Sequence, residues 1–139
     1  MAYLYFIVAS AALVIGRNYL QYRRRLNQIE AAFAGRVPLE PVEFYLRYFK
    51  DKGIPFHVVD GVCNVLEAQL SADLSRLRED DDFSKNLSFF WDFDSLADTA
   101  ITCALENKFG ITIADCEAEK THTVADLIDL VHSKLKTRN

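Results

Sequence analysis

The chain is short of the residues from which reactive centres are usually built. Its three cysteines, Cys63, Cys103 and Cys116, form no C-x-x-C pair and no zinc-ligand spacing. An odd, scattered set suits a reducing compartment. Cys63 and Cys103 lie beside apolar neighbours on helical stretches, as small buried hydrophobes do. The three histidines, His57, His122 and His132, make no ligand spacing with them. No Ser/His/Asp order and no glycine-rich phosphate loop can be written from the five glycines present. Internal repeats and low-complexity segments are absent as well. The expectation is a protein that is not an enzyme, has no catalytic residues and holds no metal of its own.

Acidic side chains are nearly missing from the first 36 residues, which hold Arg17, Arg23, Arg24, Arg25 and Arg36 against Glu30 alone. The remainder carries 11 basic against 19 acidic residues. A basic collar therefore precedes an acidic domain, and the acidic part offers no basic stripe to nucleic acid.

What the chain does have is a long apolar run at its start, MAYLYFIVASAALVI. A membrane-spanning helix needs about 20 apolar residues. The run reaches that length if Arg17 snorkels and Tyr19 and Leu20 sit at the interface. A single transmembrane anchor over residues 1–22 is the favoured expectation. A cleaved signal peptide would want positive charge before the run, and all of it comes after. A core helix would want a polar face. The arginines following the run predict an inner-membrane, single-pass arrangement with the C-terminal domain in the cytoplasm.

Residues 23–34 can continue the helix, with Leu26, Ile29 and Phe33 on one side. Their arginines either meet anionic head groups, at about 1 kcal/mol each near the surface, or form a plain solvated stretch. Gly35, Pro38 and Pro41 mark a break. Residues 41–52 read as a short helix with Pro41 in its first turn and Phe44, Tyr45, Tyr48 and Phe49 crowding one side. That stripe predicts a strut packed on the following domain or on a membrane surface. Residues 23–56 thus form a basic juxtamembrane segment and short helix, and 57–139 a separate domain.

That domain opens with a helix over 58–70, whose Val58, Val62, Val65, Leu66 and Leu70 give one apolar face. Glu79, Asp80, Asp81 and Asp82 follow in a long connection; four carboxylates without a converging cage read as a solvated acidic loop. At Asp94 a second helix begins. Asp94 is suited to the N-cap, Ser95 falls in the first turn and Asp98 near N3. Leu96, Ala100, Ile101, Ala104, Leu105 and Phe109 recur at helical spacing, and Gly110 ends the run. A serine hydroxyl there would sit beside unpaired N–H groups and the positive end of the helix dipole, a favourable place for a phosphate diester. A short helix is expected over 115–120. Thr123 then caps a last helix with Asp126 as partner, and Val124, Leu127, Ile128, Val131 and Leu135 form its core stripe.

The segments DSL, ALENKFGITIADCEAEK and TV, running without a gap over residues 94–124, resemble the acyl carrier protein family. The family's E-x-x-F-G-x-x-I-x-D segment appears as Glu106, Phe109, Gly110, Ile113 and Asp115, and VCNVLEAQL lines up with its first helix. The resemblance implies an all-α, four-helix bundle with three longer helices and a short third one. It also implies 4′-phosphopantetheine attached covalently to Ser95 by a phosphopantetheinyl transferase, with Asp94 and Leu96 flanking the site. The protein would then hold an acyl or aminoacyl thioester for acyl-transferring or acyl-activating enzymes of lipid or envelope modification. Asp98, Ile101 and Glu106 on the recognition helix are the implied partner contacts, and Asp94 and Asp98 could help hold the modifying enzyme's metal ion. Two features depart from the family. SFFWDF occupies the approach to Ser95 where a glycine is usual; its aromatics either plug the end of the bundle or form a wall beside the prosthetic group or a docking patch, with Phe89 and Trp91 as the candidate partner contacts. Ala97 and Ala100 stand where carboxylates are usual, which weakens long-range steering and favours a dedicated partner set. The other reading is an unmodified, membrane-tethered adaptor. A hydrolase using Ser95 lacks both a base and a nucleophile elbow.

Overall fold

The computed structural model describes residues 1–138, and among these every regular element is a helix. The chain divides into two compact units, Met1–Ala34 and the remainder from Gly35 onward.

The first unit is one uninterrupted helix, α1 (Ala2–Ala32). At 1.5 Å per residue it is about 46 Å long. Its most apolar 18-residue window has a mean hydropathy of 1.3 and no buried residue, so by length and composition it can cross a membrane. Ser10, the one polar side chain in the apolar run, donates its hydroxyl hydrogen to the Phe6 and Ile7 carbonyls (2.8 and 3.0 Å). The helix thus satisfies that hydroxyl within itself.

The second unit holds α2 (Pro41–Tyr48), a 3-10 turn (Lys50–Lys52), α3 (Phe56–Leu70), α4 (Phe89–Phe93), α5 (Ala97–Phe109), α6 (Asp115–Glu119) and α7 (Val124–Arg138). Three longer helices, α3, α5 and α7, pack on one another, and α6 is the short fourth member of the anticipated bundle. Val62 and Leu66 of α3, Leu105 of α5, and Val124, Ile128 and Val131 of α7 are all but fully buried between them. At the α3–α5 crossing Gly61 lets Phe109 come close: a Cβ there would lie 2.7 Å from the ring. Arg138 closes the bundle by donating to the Phe109 and Gly110 carbonyls (2.8 and 3.2 Å).

The aromatic stripe of α2 docks on the bundle. Pro41 sits at the start of α2, and a reciprocal Glu40–Glu43 capping box fixes its entry. Phe44 and Phe49 are buried, and Phe44 stacks against Tyr48 and Phe49 at 5.2 and 5.6 Å.

One local device occurs twice. Helices α3 and α5 both end in a left-handed residue, Ser71 (φ 48°) and Gly110 (φ 63°). In both, a glutamate three residues before the helix end accepts an N–H seven residues on. Glu67 Oε1 takes it from Leu74 (3.3 Å) and Glu106 Oε1 from Ile113 (2.8 Å). Each bond folds the departing chain back on its own helix, satisfying a donor that the loop would otherwise leave unpaired.

The acidic loop departs from expectation. Asp81 is buried at 2% exposure rather than solvated. Its carboxylate takes both arms of the Arg36 guanidinium (2.7 and 2.9 Å), the Arg78 N–H (2.8 Å) and the Asn86 amide (2.9 Å). The bond to Asp81 raises Arg36 further above its already high pKa. Around it the loop backbone pairs with the start of α7. The Val124 and Ala125 N–H groups donate to Asp81 and Glu79 carbonyls (3.0 and 2.9 Å), and Phe83 N–H donates to His122 (2.8 Å). The cap of α7 follows expectation: Asp126 N–H donates to Thr123 Oγ1 (3.1 Å), and Asp126 Oδ2 accepts from Thr123 and His122 (3.0 and 3.1 Å).

Asp81→Ala is expected to lower unfolding free energy by about 3 kcal/mol, because a buried carboxylate shared by four donors is lost. Glu79→Ala, which removes the exposed Lys52 partner, should stay within about 1 kcal/mol; urea titration compares the two. Burial raises the Asp126 carboxyl, but its bonds from Thr123 and His122 outweigh that and hold it below its ordinary range. A depressed folded pKa stabilises above the unfolded value and is lost as pH falls through the folded one. Between about pH 5 and 3, the urea midpoint of the parent should therefore fall more steeply than that of Asp126→Asn.

Candidate functional site

The site is built where α4 hands over to α5. Phe89 and Phe90 of α4 turn inward, stacked at 4.3 Å and both buried. Trp91 lies half-buried against Phe83, with ring centroids 6.2 Å apart. This apolar plug fixes α4 at one end of the bundle, and Asp94 then serves two helices. Its N–H closes α4 on the Phe90 carbonyl (3.3 Å), while its carbonyl accepts the Ala97 N–H (3.2 Å) and its Oδ1 accepts the Leu96 N–H (3.0 Å). Ser95 is carried at the apex of this Asx-type turn and is exposed. Ala97 behind it is buried at 1% exposure and pins the turn to the core.

Two details differ from the sequence expectation. The helix begins at Ala97 with Leu96 as its cap residue, so Asp94 is not the N-cap and Ser95 precedes the helix instead of lying in its first turn. The neighbouring donors are also not all vacant: Leu96 and Ala97 N–H are held by Asp94, and Thr99 N–H lies 2.7 Å from Asp98 Oδ1. The physical reason is the short side chain of Asp94, which forms a local turn in competition with the helix. The serine is thereby presented on a stiff corner.

The remaining candidates separate into two groups. Asp94, Leu96 and Asp98 are exposed around Ser95, Leu96 at 69%, and form one surface with Thr99 and Cys103 of the next turns. Trp91 remains partly accessible beside them. Phe89 and Ile101, by contrast, are core residues at 9% and 6% exposure, so their side chains are not presented to a partner. Glu106 is committed to the Ile113 N–H, which assigns it to loop closure. Phe89 and Ile101 are covered by neighbouring segments, and Glu106, only partly buried, is engaged with the loop.

Sequence reasoning missed Asp81 and the helical character of residues 89–93. Asn86, five residues beyond Asp81 and bonded to it, was the available signal for a structured loop. Of the cysteines, Cys103 and Cys116 are exposed, whereas Cys63 is largely covered and burial pushes its thiol up to about 12. Among the described residues, no group of three or more His, Cys, Asp or Glu side chains could hold a metal ion.

The sequence is similar to known proteins. It is 33% identical over 78 residues to an acyl carrier protein of Thermosynechococcus vestitus, covering 56% of this chain and 91% of that protein. It is 31% identical over 77 residues to an acyl carrier protein of Prochlorococcus marinus, covering 55% of this chain and 91% of that one. The solution structure of the acetyl actinorhodin acyl carrier protein from Streptomyces coelicolor aligns at 26% identity with a TM-score of 0.46, over 58% of this chain and 93% of that chain. No protein-family model matches. A third of positions identical along nine-tenths of a curated relative leads to one conclusion: this chain belongs to the acyl carrier protein family.

Proposed function

We propose that the protein is a membrane-tethered acyl carrier whose cargo is held on 4′-phosphopantetheine joined to Ser95. The observation that carries this reading is the exposed Ser95 on the Asp94–Leu96 corner, with exposed Asp94, Leu96 and Asp98 around it. A transferase must reach its side-chain oxygen directly, and Ser95 is exposed while Phe89 and Phe90 of α4 are buried. When bound, the group supplies a thiol that holds an acyl or aminoacyl residue as a thioester. The chain's own residues do the positioning. Asp94 fixes the turn, Ala97 anchors it, and Leu96 offers an apolar contact to whichever enzyme receives the arm. With Ala97 buried and Ala100 uncharged, the α5 face is less acidic than the family's, which favours a dedicated set of acyl-handling enzymes in lipid or envelope modification.

The tether is read from α1. Tyr3 and Tyr22 lie about 28 Å apart along the helix at 1.5 Å per residue, close to a hydrocarbon core of ~30 Å. Tyrosines at both ends of an apolar helix match the aromatic belts of membrane spans. Arg23, Arg24 and Arg25 follow immediately, and under the positive-inside rule they support a cytoplasmic carrier domain.

Incubation with coenzyme A and a phosphopantetheinyl transferase should add one phosphopantetheine mass to the intact protein, and Ser95→Ala should abolish it. No gain with several transferases would replace this reading with the unmodified adaptor. Topology is checked on the exposed Cys103 and Cys116. A membrane-impermeant maleimide should label them in inverted vesicles and spare them in right-side-out ones. Equal labelling in both, or recovery of the protein in the soluble fraction, argues against the tether.

A further inference from the structure

On the side of α3 away from α5, the segment leading into α2 and the loop after α3 enclose a groove of about 370 Å³. Its walls are fixed. The Leu39 N–H donates to the Ser75 carbonyl (2.8 Å), and Arg36 holds the same loop through Asp81 and the Arg76 carbonyl (3.3 Å). Phe44, Val59, Leu74 and Leu77, all buried apolar residues, form its floor. Around that floor stand four carboxylates, Glu40, Asp60, Glu67 and Asp73, and no lysine or arginine lines it. Arg76 acts on Asp73 from outside the lining, and hydrogen bonds from Ser75 hold the Asp73 carboxyl below its ordinary range, so it stays ionised.

An apolar floor beneath an acidic rim selects a particular ligand chemistry. A simple cation would leave the floor wet, and an aliphatic group would bring no counter-charge to the carboxylates. An arginine side chain supplies both halves: an apolar stem and a planar, permanently charged head suited to carboxylates. The volume falls within the range of small-ligand sites and has room for such a side chain with an apolar neighbour. We propose that this groove is a second recognition face, docking an arginine-bearing, apolar-flanked segment of a partner protein. It lies apart from the Ser95 surface, so partner choice can be read at one face while the cargo arm is served at the other. The carboxylates sparse on the exposed side of α5 are here concentrated behind α3.

The test uses the full-length, isotope-labelled chain in non-ionic detergent, carrying Ser95→Ala so that its result is independent of modification. Acetyl-Leu-Arg-Leu-amide is titrated against acetyl-Leu-Glu-Leu-amide and spermidine, with backbone amide resonances as the readout. The arginine peptide should move the amides of Leu39, Asn64 and Ser75 and leave those of Leu96 and Asp98 in place. Glu67→Gln, which keeps an acceptor for Leu74, and Asp60→Asn should each weaken binding about tenfold, as loss of a charge-assisted hydrogen bond implies. Either variant suffices where the other fails to fold. The proposal is overturned by no movement, by an equal response to the glutamate peptide or to spermidine, by movement centred on α5, or by unchanged affinity in the folded variants.

Discussion

The candidate site at Ser95 depends on a buried carboxylate in the preceding connection. Asp81 sits buried in the middle of an 18-residue connection, 71–88, that contains no regular helix. Such a connection has many unpaired backbone groups and much conformational entropy to lose. One side chain gathers it. Asp81 takes Arg36 from the segment before α2, Arg78 and Asn86 from its own loop, and its backbone carbonyl receives the Val124 N–H of α7. Three separate parts of the chain are thereby registered against one another. The loop's exit sets where α4 begins, α4 ends on Asp94, and Asp94 sets the turn that carries Ser95.

This ordering explains how a chain lacking the usual glycine can still present its serine. Where a glycine would let the backbone bend freely, this protein inserts one short helix and makes it rigid by burying Phe89 and Phe90. The bend is then made by Asp94, whose carboxylate and carbonyl hold consecutive N–H groups. Burial on one side and an Asx turn on the other leave Ser95 as the outward corner. The aromatic residues belong to the support of the site and chiefly face away from solvent, with Trp91 as the part that stays accessible.

Much of the fold was legible because it follows from periodicity and caps, which are local. The stripes of α3, α5 and α7, the Gly110 stop and the Thr123–Asp126 cap were all visible as residue spacing. The glutamate motif was legible as a family likeness but not as a mechanism; only the Glu106–Ile113 bond, and its twin at Glu67–Leu74, show what the spacing does. Illegible features were those decided by distant residues. Asp81 looked like one of four equivalent carboxylates because its partner Arg36 is 45 positions away and seemed part of a basic collar. Ile101 is an implied partner contact only by family likeness, and Phe89 could be read as plug or contact, because what covers them comes from elsewhere in the chain.

The distribution of charge fits the proposed attachment to a membrane. A freely diffusing carrier finds its partners in three dimensions, and acidic surface steers that encounter at long range. A tethered carrier shares a surface with partners embedded in the same membrane, so confinement supplies the effective concentration that steering would otherwise provide. Long-range charge around Ser95 is then dispensable, and an anionic membrane surface would repel it. Short-range discrimination still has to come from somewhere, and contact chemistry with fixed geometry serves it better than a diffuse field. An exposed Leu96 beside the serine, with a walled, carboxylate-rimmed groove on another face, is the arrangement that such a division of labour would produce.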